Sequence, residues 1–410
     1  MSPSRTPVPF VVVSCIVASL ASVDVSAPLA AEASADDVEP GVTKWGTFGL
    51  YLRYRFEGID DDAFIEDGYA STLRTVLSYR TPGWHAFDAF IQFADVSNLG
   101  AAGRHNDTQN GVTDRPTIAD PEGTLVQQLL ARYDGIADTA FVAGRQEINL
   151  GNERWVGAVG WRQIHQTFDS VRLVQKSIPH TTWTYAYVAR ANTVTARSDR
   201  MHTHLLDAAI DIADAGTLTP YFYSVDYDDA PRTDFSTDSY GARWEGACKL
   251  GAWSVPYLAE AARQEDGGDN PGTVDAGYYH LVAGGELNDM WFNVGLEVLE
   301  GSVADGQFNT PLATLHKFNG WADKFPVTPA DGLRDLYVGL GGKRGAVSVV
   351  GAVHDFDSDS LSIDYGTEVD AEVTYTAPWK QVFALTLAYY DADELFEDTL
   401  KLWVWTTYQF

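Results

Sequence analysis

The sequence predicts an all-β fold: a transmembrane antiparallel β-barrel of eighteen strands, with sixteen as the fallback count. Three observations carry this expectation. Apolar and polar side chains alternate in segments of about ten residues from residue 46 to the end of the chain, the pattern of a strand that divides lipid from lumen. The links between these segments are alternately short and long. Beyond the N-terminal 33 residues no stretch offers the ~20 apolar residues that a spanning helix needs, and a chain that crosses a membrane without one has to close its strands into a barrel. The composition agrees, with 12% aromatic residues and 36 glycines but only 3 methionines, a balance that favours strands.

The first segment shows the alternation plainly. Phe48, Leu50, Leu52, Tyr54 and Phe56 interleave with Gly49, Tyr51, Arg53, Arg55 and Glu57. The last does the same, with Leu400, Leu402, Val404, Thr406, Tyr408 and Phe410 on one face and Lys401, Trp403, Trp405, Thr407 and Gln409 on the other. Strands are expected at 46–57, 69–81, 84–97, 123–134, 138–149, 166–176, 181–192, 202–213 and 217–227. The second half adds 237–248, 251–263, 275–286, 290–300, 332–342, 345–356, 364–376, 380–392 and 398–410. Links after even-numbered strands carry turn residues: Pro82-Gly83, Gly135-Ile136, Ile178-Pro179, Ala215-Gly216, Asn288-Asp289 and Ala377-Pro378-Trp379. Links after odd-numbered strands include the long stretches 98–122, 150–165 and 301–331. Short periplasmic turns and long extracellular loops are the asymmetry of outer-membrane barrels, and an even strand number puts both termini in the periplasm. A soluble propeller also uses short strands, but no repeat of about 40 residues is present.

The N-terminus reads as a secretory signal. Arg5 supplies the charge, Phe10 to Leu20 the apolar core, and Ala31-Glu32-Ala33 a small-x-small cleavage site. The predicted organisation is a signal peptide over 1–33, a short periplasmic segment over 34–44 and the barrel over 45–410. A transmembrane anchor fits less well because the apolar run is short, and a lipoprotein on Cys15 lacks the small-residue lead-in at Val13-Ser14. Removal of the signal leaves Cys248 alone, so the mature chain has no internal disulfide.

Charge is unevenly spread. Of the formal −29, residues 201–410 hold −23, with 34 acidic against 11 basic residues; residues 44–200 hold 16 basic and 18 acidic. The arginines therefore concentrate in the N-terminal half. The acidic clusters at 226–229, 265–269, 355–359 and 391–398 fall in expected extracellular loops. They form a solvated rim, or bind divalent cations loosely between lipopolysaccharide phosphates.

Two stretches resemble a known family. One runs Val142-Ala143-Gly144-Arg145-Gln146-Glu147-Ile148, then Asn152-Glu153-Arg154-Trp155-Val156-Gly157, Trp161-Arg162-Gln163 and Thr167-Phe168-Asp169-Ser170-Val171-Arg172. The other is Ala313-Thr314-Leu315-His316-Lys317-Phe318-Asn319-Gly320-Trp321-Ala322-Asp323-Lys324-Phe325. Together they look like the alginate export family of outer-membrane proteins. The resemblance implies an 18-stranded barrel in the bacterial outer membrane, with an arginine-rich constriction that passes an anionic uronate polymer outward. Periplasmic export partners would set the direction. A passive porin importing small carboxylates or sugar acids would share the same barrel, signal and arginines.

An anion channel needs fixed cations facing its lumen, and guanidinium matches carboxylate in bidentate geometry. Arg53, Arg55, Arg74, Arg80, Arg132, Arg145 and Arg190 fall within expected strands, and a charge facing lipid at mid-depth costs about 2–4 kcal/mol, so all seven are expected to line the lumen. Each also fits a structural role, pairing with an acid on a neighbouring strand, as Arg145 would with Glu147. Asp169 and Arg172 join the list through the family motif although they have opposite parity in one strand, which requires a bulge or a rim position. Arg154 and Arg162 lie in one long link, and His316 and Asp323 in another; either link folds inward as a constriction or stays at the surface. The apolar residues Leu312, Leu315, Phe318, Trp321 and Phe325 argue for packing in the second case.

No cofactor, resident metal or nucleic-acid partner is expected, and the barrel is expected to be a monomer among lipid and lipopolysaccharide. No Gly-x-Ser-x-Gly elbow, P-loop or dinucleotide fingerprint occurs, so the chain is expected not to be an enzyme. A barrel esterase whose triad comes from distant strands is the remote alternative. His202-x-His204 puts two imidazoles on one strand face without a third ligand at useful spacing, which reads as surface histidines.

Overall fold

The computed structural model describes residues 41–43 and 45–409. The expected signal, the expected segment 34–44 apart from residues 41–43, and the terminal Phe410 lie outside the described residues. Eighteen strands form the wall, numbered here in chain order: β1 (Gly46–Asp61), β2 (Gly68–Arg80), β3 (Phe87–Asn98), β4 (Gly123–Ile136), β5 (Thr139–Gln146), β6 (Thr167–Gln175), β7 (Thr181–Asn192), β8 (Ser198–Asp211) and β9 (Thr217–Val225). The remaining nine are β10 (Thr237–Leu250), β11 (Trp253–Asp266), β12 (Asp275–Leu287), β13 (Met290–Leu299), β14 (Leu333–Arg344), β15 (Val347–Asp357), β16 (Asp364–Thr376), β17 (Val382–Ala392) and β18 (Thr399–Gln409). Every strand pairs antiparallel with its neighbours, and β18 returns to β1 from Tyr51↔Gln409 to Asp61↔Thr399, so the sheet closes with no free edge. Gly41–Thr43 adds a short strand beside the start of β1. No α-helix occurs among the described residues.

The alternation in the sequence becomes two faces. In β18, Lys401, Trp403 and Trp405 are buried in the lumen, while Leu400, Leu402 and Val404 are exposed on the outside. In β14 to β16 the outward residues Leu336, Val338, Leu340, Val349, Val353, Val369 and Val373 are 44–57% exposed in the isolated chain. This is apolar surface whose solvent is lipid. Tight turns join the ends of even-numbered strands to the next, and Asp138 (φ 56°) and Asn288 (φ 55°) take the left-handed conformation that such turns use. Strand β4 runs through Ile136, so its turn falls at Ala137-Asp138, two residues beyond the expected Gly135-Ile136. Because β1 starts and β18 ends at this same end, it is called the turn end below, and the opposite one the loop end.

Three loop-end connections do not stay outside. The links at 99–122, 147–166 and 300–332 bend into the barrel and bring Ile118, Trp155, Trp161, His316 and Trp321 to near-complete burial. Strand β5 is accordingly short. It ends at Gln146, three residues before the expected boundary, because the chain turns inward there to bury Ile148.

The outer face tolerates little charge at mid-height. Val338, halfway along β14 and opposite Val294 and Val353, should destabilise the barrel by about 2–4 kcal/mol when changed to Arg. Urea titration in lipid vesicles, against Val338→Ala, measures this; equal stabilities would show that β14 does not face hydrocarbon.

Candidate functional site

The inward loops meet each other before they meet the wall. In the 147–166 loop a tight turn is closed by Glu153 N–H donating to Leu150 O (2.9 Å), with Gly151 and Glu153 both at positive φ. The 300–332 loop lies alongside: Gly157 N–H donates to Leu312 O (2.9 Å) and Thr314 N–H to Glu153 O (3.0 Å). The Gln166 amide donates to both Gly157 O and Leu312 O, each at 2.9 Å. Trp155 fills the lumen among Tyr221, Tyr278 and Phe308, with ring centroids 5.1–5.6 Å away, and its indole N–H donates to Glu260 at 2.8 Å. Trp161 stacks on His316 at 4.5 Å and meets Trp403 edge-on.

The wall of β1 and β2 is basic and grips this assembly. Arg53 donates to Gly160 O (2.8 Å), to Arg162 O and to the Gln163 side chain (2.9 Å). Arg55 donates to Trp161 O, pairs with Asp120 of the 99–122 link, and lies 4.9 Å over the Trp161 ring. Arg74 meets His165. Three carbonyls in succession, those of Gly160, Trp161 and Arg162, are thus held by two wall arginines.

The wall from β11 to β16 is acidic. Glu260, Glu297, Asp335, Glu368, Asp370 and Glu372 project inward from β11, β13, β14 and β16, none more than 3% exposed. Glu368 accepts from Ala322 N–H (2.6 Å) and Asp370 from Trp321 N–H (3.3 Å). Glu297 takes Arg154 (2.7 Å) and the Asn319 amide (2.7 Å), and Arg154 also covers the Phe318 ring at 4.8 Å. Arg162 bridges the two loops through Asp323 (3.0 Å). Although burial opposes it, the hydrogen bond and charge of His316 (2.8 Å) and the cations of Lys401 and Arg162 hold Asp323 well below the usual carboxylate range.

Arg53, Arg55 and Arg74 therefore face the lumen, as do Arg132 and Arg172 nearer the turn end, where both line an open cavity. Arg154, Arg162, His316 and Asp323 all lie inside the barrel in the inward loops. Arg145, Asp169 and Arg190 do not face the lumen, against expectation. Arg145 is registered opposite exposed Leu129 on one side and Asp169 on the other, and Asp169 opposite Arg190, which puts all three on the outer face. The argument from the cost of charge in lipid fails there for two reasons. Arg145 is next to last in β5, so it sits near the loop end, where that cost falls to about 0–1 kcal/mol. It is also neutralised, by two bonds to Asp169 (2.7 and 3.2 Å) with Asn192 donating to the same carboxylate. The opposite parity of Asp169 and Arg172 is thus literal: one faces out and the other in. Glu147 pairs with His165 (2.9 Å) and not with Arg145.

Sequence reasoning missed the acidic wall. Its signal was present: Glu368, Asp370 and Glu372 alternate with Val369, Ala371 and Val373. His202 and His204 are outward and bond to Tyr187 (2.8 Å) and Tyr185 (2.9 Å). Among the described residues no three His, Cys, Asp or Glu side chains are placed to hold a metal.

With this geometry in place, comparison with known proteins is decisive on one point. The alginate export profile matches residues 44–267, more than half of the chain. The chain belongs to the alginate export family. It is a bacterial outer-membrane β-barrel of the porin and channel type. No curated protein sequence matches it. Solved structures with the same fold include Pseudomonas aeruginosa OpdK with vanillate (TM-score 0.67, 14% identity, 88% of this chain and 98% of that one). A BenF-like porin from Pseudomonas fluorescens Pf-5 gives TM-score 0.69 at 11% identity, covering 90% and 99%. Acinetobacter baumannii OccAB4 gives 0.63 at 14% identity, covering 88% and 97%. Identities this low establish a shared barrel and nothing finer.

In this alginate export family member the grip of Arg55 on the loop is open to test. Removing one partner of a buried ion pair costs about 3–5 kcal/mol, so Arg55→Ala should loosen residues 160–163 without opening the wall. Faster hydrogen exchange confined to that loop and a higher single-channel conductance are expected. Unchanged protection and conductance would mean that the loop is held by the aromatic packing alone.

Proposed function

We propose that this barrel is an anion-selective channel for acidic sugars, from monomers to short oligouronates, acting without covalent chemistry or cofactor. The observation that supports it most is the pair of opposed walls. Inward arginines on β1, β2, β4 and β6 offer bidentate sites for carboxylates, and the carboxylates of β11 to β16 offer acceptors for sugar hydroxyls. A uronate carries both groups on one small ring, so it suits a lumen that is basic on one side and acidic on the other. A neutral sugar or a simple cation matches only one wall. The turn end, with both termini, is taken to face the periplasm.

The three inward loops favour small solutes over polymer in this conformation, because they occupy the cross-section at the height of Arg53 and Arg55. The family description, alginate export, favours polymer; passage of a chain would require the loops to leave the arginines, with the solute's own carboxylates taking the places of the loop carbonyls.

Planar-bilayer recording separates these. In a salt gradient the reversal potential should report anion selectivity, and glucuronate and di- or triuronates should block the current. Arg132→Ala with Arg172→Ala should weaken both effects, while Arg145→Gln, on the outer face, should leave selectivity intact. Cation selectivity, or current indifferent to uronates of any length, would overturn the proposal; block by long polyuronate alone would restore the export reading.

A further inference from the structure

A cavity of about 540 Å³ opens at the turn end against β2 to β6. Its residues come from the inward face of these strands and from the Ala137-Asp138 turn. Gln128, Gln146 and Glu147 close its inner end below the inward loops. The volume is that of a pocket for one small molecule.

Its lining differs in kind from the lumen above. Phe90 and Leu130 are register neighbours, Val142 lies between Arg132 and Arg172, and Val174 lies beside Ala140, so apolar and cationic side chains interleave along one wall, with Ile136 at its end. The lining carries four cations, Arg80, Arg132, Arg172 and Lys176, against three carboxylates. Two of the three carboxylates lie beside a basic side chain, Glu147 by His165 at 2.9 Å and Asp134 by Arg132 at 3.5 Å. Arg80 is held by Asp88 at 2.8 Å, outside the cavity. Lys176 forms no ion pair among the described residues. A hydroxyl set against Leu130, Val142 or Val174 would lose its water and gain no partner there.

We infer that this cavity is a binding site for a compact carboxylate with an apolar body, such as a cyclic or aryl monocarboxylic acid, its carboxylate toward Arg132, Arg172 and Lys176 and its ring against Leu130, Val142 and Val174. The site rests on the channel reading only in lying on the solute path, and it adds a second solute class that the lumen above does not select. A ring of six carbons buries apolar area against these side chains, and its carboxylate replaces lost hydration with guanidinium and ammonium donors. A uronate satisfies the second condition and fails the first.

Equilibrium dialysis of the whole barrel in lipid nanodiscs, where no detergent competes, tests this with three probes of similar size: cyclohexanecarboxylate, cyclohexylmethanol and glucuronate. Cyclohexanecarboxylate should bind saturably, glucuronate about tenfold or more weakly and the alcohol not measurably, a tenfold step being 1.4 kcal/mol. Lys176→Gln with Arg132→Gln should weaken cyclohexanecarboxylate by about tenfold, and Leu130→Asn should weaken it while sparing glucuronate. Lys176→Gln alone, at an exposed position, keeps the test interpretable if the double variant fails to fold. Equal affinity for the two acids, or no saturable binding of either to the folded barrel, would overturn the site. Cation selectivity in bilayers would overturn the channel reading instead, and dialysis does not measure it.

Discussion

Irregular backbone inside a barrel at membrane depth has to find partners for its own amides and carbonyls, and the charged lumen wall of this protein supplies them. Two arginines of β1 take three consecutive carbonyls of the 147–166 loop, and two carboxylates of β16 take two consecutive amides of the 300–332 loop. The polarity of each wall matches the polarity of the backbone groups it receives. Buried charge then serves as a docking surface for loops, and the loops in turn spare each wall the cost of desolvated, unpaired ions.

This arrangement ties selectivity to closure. The cations best placed to attract an acidic solute at mid-height are the ones that hold the loop, so a carboxylate and a loop carbonyl compete for the same donors. A charge-assisted bond is stronger than a neutral one, and a carboxylate can span two guanidinium N–H groups where a carbonyl takes one. The loop has an advantage of a different kind. Its carbonyls are delivered together on a chain already anchored by Trp155, Trp161 and the Gln166 amide, so they compete at high effective concentration. The balance of these two advantages determines how far the lumen opens for a given solute.

The wall was legible in the sequence because its physics has period two. Phe48 to Glu57 and Leu400 to Gln409 read unambiguously, since lipid outside and charge inside leave one register. Where the outside is not lipid the rule loses its force. Arg145, Asp169 and Arg190 sit near the loop end, Arg145 paired to Asp169, and parity counted from exposed Phe141 and Val171 places the first two outside. Arg190 has the parity of buried Ala186 and Val188 and turns outward only through the irregularity between Val188 and Arg190. Bulges hide further: Gln127 and Gln128 are both buried because the register with β3 slips at Gln92/Phe93. The inward course of the loops could be suspected from Leu312, Phe318 and Trp321, but their partners, such as Glu297 for Arg154, are 143 residues apart in sequence. No local pattern encodes a pairing at that distance.

The charge imbalance of the chain takes on an axial meaning in the fold. The loop end carries crowded carboxylates; burial, together with Asp269, Asp228 and Asp238 nearby, pushes Asp226 up from its ordinary value despite the opposing charge of His202. Salt screens such an exposed rim within about 8 Å at physiological ionic strength, so its field does not reach the lumen arginines. Charges inside the barrel are screened far less, and toward the turn end the lining becomes basic. A charge within the lumen therefore experiences the interior and not the rim. That polarity does not fix a direction of travel, because a channel with no energy source conducts down whatever gradient its two sides provide.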